Sequence, residues 1–220
     1  MCGRYILFGP LAAWAQLVGA TAPPEFAPRC NIAPTQQVLA VRRAPGDEAA
    51  HFALLRWGLI PSWAKDPKIG SRLINARAET IGDKPSFRAA FKHRRCLLPA
   101  DGFYEWKTVD GRKHPYEFGL VDRTPFALAG LWESWTDAGG GTVETCTIIT
   151  TAANELLAPF HDRMPVIFDP PACKQWLAAE PGDSGALRSL LRPYAAEKMA
   201  AAPASDRLNS SRYEGNDCRD

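Results

Sequence analysis

The second residue of the chain is a cysteine, and removal of Met1 would leave an α-amine and a thiol on one carbon framework, a 1,2-aminothiol. An α-amino group has a pKa of about 7.7 to 8.0 against about 10.4 for lysine, so near neutrality its free-base fraction is several hundred-fold larger. Such an amine suits attack on a carbonyl. With an aldehyde it gives a Schiff base, and the adjacent thiol then closes a five-membered thiazolidine, a product no lysine can form. Taken alone, a small residue behind the initiator methionine is the plainer reading of Cys2. Its company changes the odds. Asn75-Ala76-Arg77-Ala78-Glu79-Thr80, Pro99 to Trp106 and His161-Asp162-Arg163-Met164-Pro165 are denser in polar groups than hydrophobic folding requires. Glu105 lies between Tyr104 and Trp106, where burial would raise its pKa toward values useful for proton exchange; the plainer role is a solvent-facing strand carboxylate. His161 stands just before an arginine as a loop imidazole able to pass protons near neutral pH, or more plainly as a capping or core hydrogen bond.

Segments so far apart need a scaffold that gathers them. Residues 5–8 read as a strand, and Pro10 opens a helix in which Leu11, Trp14, Leu17 and Val18 recur at helical spacing. The proline-rich stretch 22–34 reads as loop, and strands at 37–43 and 52–57 flank the turn Pro45-Gly46-Asp47. Residues 61–71 form a polar loop centred on Trp63. Further strands are expected at 95–98, 102–106, 116–118, 126–132 and 145–150, with turns at Val109-Asp110-Gly111 and Gly139-Gly140-Gly141. Helices are expected at 87–93, 154–158, 172–179 and 186–191. Strands outnumber helices and hairpins dominate the connections, which makes the class α+β in a single domain. From 201 apolar periodicity stops, so the domain is expected over 2–200 with a disordered tail at 201–220.

Composition narrows the function. With 46% hydrophobic residues and seven tryptophans, the 220-residue chain can bury a substantial core. The longest apolar run, near 126–132, falls far short of the roughly 20 residues needed to cross a bilayer, so no membrane partner is expected. The net charge of +2 hides an asymmetry: residues 1–100 carry fourteen Lys or Arg against six Asp or Glu, and the remainder twelve against eighteen. A basic half can face phosphates, although a charge imbalance is more often a solvated face. The stretch 84–95 illustrates this, with Lys84, Arg88, Lys92, Arg94 and Arg95 set against no acid. Six cysteines show neither Cys-x-x-Cys nor zinc spacing. We therefore expect no metal, no cofactor, reduced thiols and a cytoplasmic monomer. The start imitates a secretion signal, but Gly9-Pro10 interrupts its apolar run, and we read it as a folded N-terminus.

The ordered segments Met1-Cys2-Gly3-Arg4-Tyr5, Asn31-Ile32-Ala33-Pro34, Arg56 to Trp63, Asn75 to Thr80, Pro99 to Trp106, Gly130-Leu131-Trp132-Glu133 and Thr150 to Ile167 resemble the SRAP family, the SOS-response-associated peptidases or abasic-site processing proteins. That resemblance implies a β-barrel-like core with a basic cleft for single-stranded DNA. It also implies covalent capture of abasic sites, with Cys2 forming a thiazolidine to the ring-opened sugar, and possible self-processing peptidase and lyase activity. By the same resemblance Glu105 handles protons, His161 assists ring opening, and Asn75 holds the opened sugar and the Cys2 end in register. Arg4 and Arg77 match positions that grip phosphates, Trp63 stacks beside the lesion, and Asn31, Thr150 and Arg163 are further DNA contacts. Ala64 follows Trp63 where other members carry paired tryptophans. Two rival readings remain: a cysteine peptidase or amidohydrolase using Cys2 with His161, and a non-enzymatic single-strand binding module.

Overall fold

Local signals set many of the element boundaries in the computed structural model of the chain, which describes residues 2–20, 25–43, 47, 49–179, 183–213, 215 and 218. The first half holds β1 (Tyr5–Leu7), α1 (Leu11–Val18), β2 (Arg29–Ile32), β3 (Gln37–Arg42), β4 (His51–Trp57), β5 (Asn75–Arg77), α2 (Arg88–His93) and β6 (Arg95–Ala100). The second half holds β7 (Gly102–Val109), β8 (Arg112–Leu120), β9 (Phe126–Thr136), β10 (Thr142–Ala152), β11 (Arg163–Pro165), β12 (Ile167–Phe168), α3 (Pro170–Ala178), α4 (Ser184–Leu190) and β13 (Met199–Pro203). Helix α3 starts where Asp169 accepts from the Ala172 N–H and a proline follows at once. The β7–β8 hairpin turns on Asp110 and Gly111, both at positive φ (49° and 75°), the backbone that a two-residue turn matching strand twist requires.

Five strands close into a barrel in the order β10, β4, β3, β6, β9 and back to β10. Its junctions are antiparallel except β4 with β10, where Arg56 and Trp57 lie opposite Thr145 and Cys146. Closure leaves these strands without free edges. A second sheet runs β13, β8, β7, β1, β2. One core cluster packs the helices on the barrel through Trp14, Phe91 and Trp176; another joins barrel residues Leu39, Leu55 and Ile148 to Tyr5, Phe103 and Phe118 of the second sheet. The expected α+β single domain with a barrel core is therefore what the chain forms. No helix among the described residues is long and apolar enough to cross a membrane.

Several expectations need correction. The proline-rich loop contains β2, whose residues bury because β1 and not their own alternation recruits them. Residues 155–160 are turns and no helix forms at 154–158. The tail expected to be disordered from 201 instead continues β13 to Pro203, paired with β8 from Met199 opposite Leu120 to Pro203 opposite Tyr116. Beyond it Leu208 and Cys218 are buried. Backbone pairing sustains β13, which has no apolar alternation to announce it. The thiols are not all reduced: Cys30 and Cys218 form a disulfide across 188 residues, while Cys2, Cys96, Cys146 and Cys173 are free and buried. Pro45 and Gly46 of the expected turn, and Met1, lie outside the described residues.

Candidate functional site

Strand β1 enters the second sheet beside β7, with Tyr5 opposite Phe103, and the Tyr104 N–H donates to the Arg4 carbonyl at 3.0 Å. This pairing brings the residues preceding β1 alongside the middle of β7, where Glu105 faces Tyr116 of β8. Cys2 is fully buried in the cluster that contains Tyr5, Trp57, Leu157 and Met164. Strand β5 joins from the barrel side, Asn75 lying opposite Ile148 of β10. From there the Asn75 Nδ2 donates to the Cys2 carbonyl at 2.9 Å. Trp57 fixes that approach, its indole N–H donating to the Ile74 carbonyl at 2.9 Å. The Asn75 Oδ1 is buried with no hydrogen-bond partner among the described residues, an acceptor that a substrate hydroxyl would satisfy.

Electrostatics couple the same groups. Burial pushes the Cys2 thiol far up, and the Glu105 carboxylate pushes it further. Burial also raises the Glu105 pKa, an effect that the His161 charge partly opposes. His161 follows the turn after β10, its N–H donating to the Leu157 carbonyl at 3.0 Å. Its Nδ1 accepts from the Arg163 N–H at 2.9 Å and lies 2.7 Å from the Asp162 Oδ1. A neutral ring uses the first contact and an imidazolium the second, so the ring has a partner in either protonation state. The structure thus brings Cys2, Asn75, Glu105 and His161 to one place from four separate parts of the chain. The arrangement can hold an amine-bearing terminus near a carboxyl poised to keep or give a proton.

The residues expected to touch DNA divide into two groups. Trp63 is 56% exposed on the loop after β4, and its indole N–H makes one long contact, 3.5 Å, to the Pro85 carbonyl. That loop leaves the barrel at Gly58, whose φ of +129° and 2.7 Å separation between an added Cβ and the Gly70 carbonyl oxygen admit no side chain. Arg77 is exposed at the end of β5, beside Thr150 of β10. By contrast Asn31 is only 3% exposed and its amide is fully engaged: Oδ1 accepts from Arg4 at 2.7 Å, and Nδ2 donates to the Ser210 and Tyr213 carbonyls at 3.1 and 2.7 Å. Arg163 is buried in a bidentate pair with Glu79 at 2.7 and 2.9 Å and donates to the Thr150 carbonyl at 2.6 Å. It ties β11 to β10 and to the turn after β5. Asn31 and Arg163 therefore position other groups. Two of the basic residues at 84–95 are likewise structural: Arg94 pairs with Glu133 at 2.7 Å, and buried Arg95 donates to the carbonyls of Phe91, Lys92, Trp176 and Ala179.

Sequence reasoning did not find Glu79, the partner of Arg163, or Trp106, whose ring lies under the Arg4 guanidinium at 5.6 Å. Nor did it find the carbonyls of residues 208–213 that engage Arg4 and Asn31. Glu79 and Trp106 both lie within the polar segments of the sequence; backbone acceptors more than 170 residues away in sequence carry no signal of their own. Among the described residues no group of three or more His, Cys, Asp or Glu could hold a metal ion.

Comparison with known proteins gives a consistent picture. The family model described as SOS response associated peptidase (SRAP) matches residues 1–211. The abasic site processing protein YoqW of Bacillus subtilis is 44% identical over 214 residues, covering 96% of this chain and 95% of that protein. The abasic site processing protein YedK of Escherichia coli is 32% identical over 186 residues, covering 82% and 81%. A crystal structure of a protein from Bacteroides thetaiotaomicron superposes with a TM-score of 0.83 at 26% identity, covering 95% of each chain.

Proposed function

The chain belongs to the SOS response associated peptidase (SRAP) family, and on that premise we propose that it captures abasic sites in single-stranded DNA through its second residue, acting as a monomer. Its curated relatives YoqW and YedK are named abasic site processing proteins. The observation that carries the reading is the meeting of Cys2, Asn75, Glu105 and His161 at the start of β1.

Hydrolysis of the Met1–Cys2 peptide bond frees the Cys2 amine. An abasic deoxyribose is mostly a closed hemiacetal, so a proton must move from the C1′ hydroxyl to the ring oxygen before an aldehyde is exposed; His161, with a partner in both protonation states, serves that transfer. The amine then attacks C1′, and the resulting carbinolamine loses its hydroxyl as water. Glu105, whose buried carboxyl holds its proton to higher pH than usual, supplies the proton for that departure and recovers one from the nitrogen. The Cys2 sulfur adds across the C=N bond while its proton passes to nitrogen, closing the thiazolidine with no further reactant. Asn75 holds the Cys2 carbonyl, which fixes the amine relative to the sugar, and its open Oδ1 accepts from a sugar hydroxyl.

A peptidase reading fits less well. A cysteine nucleophile works as thiolate beside a cationic partner, whereas Cys2 is buried and its strongest charged neighbour is the Glu105 carboxylate, both of which hold the thiol protonated. The test is incubation with a uracil-excised single-stranded oligonucleotide followed by denaturing electrophoresis and intact-mass analysis. A heat-stable adduct starting at Cys2 is expected from the parent chain and none from Cys2→Ala. An adduct that survives in Cys2→Ala, or mature protein that retains Met1, would overturn the proposal.

A further inference from the structure

After β13 the chain returns across β1 and β2 as a strap, residues 204–213. Leu208 is buried with Ile6, Cys30 and Tyr104, and its carbonyl accepts from Arg4 Nη1 at 3.0 Å. The Ser210 and Tyr213 carbonyls take both amide protons of Asn31, and the Trp106 indole N–H donates to Asn209 Oδ1 at 2.9 Å. Farther along, Cys218 is bonded to Cys30 of β2, a pin beyond the 1–211 span of the family match. Between the strap, the residues before β1 and the turn linking β2 to β3 lies a groove of about 570 Å³ lined by residues that include Gly3, Arg4, Pro34, Gln36, Ser211 and Arg212.

We propose that the strap is a working wall of a phosphate-binding groove, in which Asn31 and the Leu208 carbonyl are positioning groups for Arg4 and Arg212 is a second guanidinium contact to the backbone of a bound single strand. The inference rests on the reading that the chain binds single-stranded DNA. Arg4 Nη1 is held from two sides, by Asn31 Oδ1 and Leu208 O, which fixes the orientation of the fork while Arg4 still lines the groove. Arg212 reaches the same groove from the opposite wall. A strap secured by one buried leucine, a few hydrogen bonds and a disulfide makes the grip sensitive to thiol redox state. A dithiol reductant gives up two electrons and two protons and closes its own disulfide; Cys30 and Cys218 accept them and become two thiols.

The test uses the full chain and an intact, lesion-free single-stranded oligonucleotide, so that no covalent step intervenes, with affinity followed by fluorescence anisotropy across a salt series. Arg212→Ala is expected to weaken binding about 3- to 10-fold and to flatten the logarithmic salt slope by about 0.7, the value of one phosphate contact on a single strand. Reduction with dithiothreitol and, separately, Cys218→Ser are each expected to weaken binding about 3-fold or more, with most of that loss gone once Arg4 and Arg212 are already alanine. A purely structural role would lower the melting temperature and leave the salt slope alone. Unchanged affinity and slope in all these proteins overturns the strap as a binding wall, and so does tighter binding after reduction, which would make it a cover over Arg4. If the unaltered chain binds no strand at all, the DNA reading itself falls and takes this inference with it.

Discussion

Glu105 sets the pH behaviour of the site. Burial lifts its folded pKa above the unfolded value, so between those two values the folded chain keeps a proton that the unfolded chain has lost. Stability therefore falls as pH rises through that window, and Glu105→Gln removes the slope. The variant should melt higher than the parent at about pH 8 and no higher at about pH 3.5, as read by circular dichroism. Its crosslinking rate should drop roughly 10²- to 10⁴-fold, the usual worth of a positioned proton donor. A variant that loses rate without gaining stability at high pH would show that Glu105 is not held as its surroundings require. Cys2, Glu105 and His161 are legible in the sequence because their chemistry resides in residue type and in neighbours one position away. Asn31 and Arg163 are not, because the groups that occupy them, Tyr213 and Glu79, stand 182 and 84 residues away. A side chain's type says what it can bind, and only the fold says what it has already bound.

Among the elements, α2 and β6 owe their junction to Arg95, whose buried guanidinium serves two carbonyls of α2, one of α3 and that of Ala179 just after α3. Arg95→Ala should cost about 2 to 4 kcal/mol in urea unfolding through the carbonyls left unsatisfied, with no change in the salt slope of strand binding. A flattened slope would mean that the 84–95 stretch meets DNA after all. Gly58 gives a second check on how an element presents a site residue. Gly58→Ala must displace the Gly70 carbonyl and so shift the Trp63 loop, and we expect a loss of about 1 to 3 kcal/mol in stability together with weaker strand binding. Hairpins such as β7–β8 and β9–β10 could be read directly, since glycine-containing turns stand between runs of strand-forming residues. Strands β2, β5 and β13 could not, because each is a short segment made extended by the strand it joins.

For the whole molecule, barrel closure and the Cys30–Cys218 bond act on different terms of stability. The barrel removes apolar surface from water. The disulfide acts on the unfolded chain, where closing a 188-residue loop is worth roughly 5 kcal/mol in the chain-entropy model. Urea unfolding with and without dithiothreitol should show a difference of that order, and a midpoint indifferent to reductant would mean that the two cysteines do not pair in the native protein. A pairing between residues so distant is invisible to cysteine spacing, which is why the sequence alone points to reduced thiols where the fold joins two of the six. The bond also dictates how the folded molecule transmits force. A pull on the chain beyond Cys218 loads Cys30 at once, so tension bypasses the intervening polypeptide and arrives in β2, next to the segment that carries Cys2. A protein covalently joined to DNA through its front end, then hauled from behind by an unfolding machine, would be stretched between two points only 28 residues apart in sequence, with the barrel left slack.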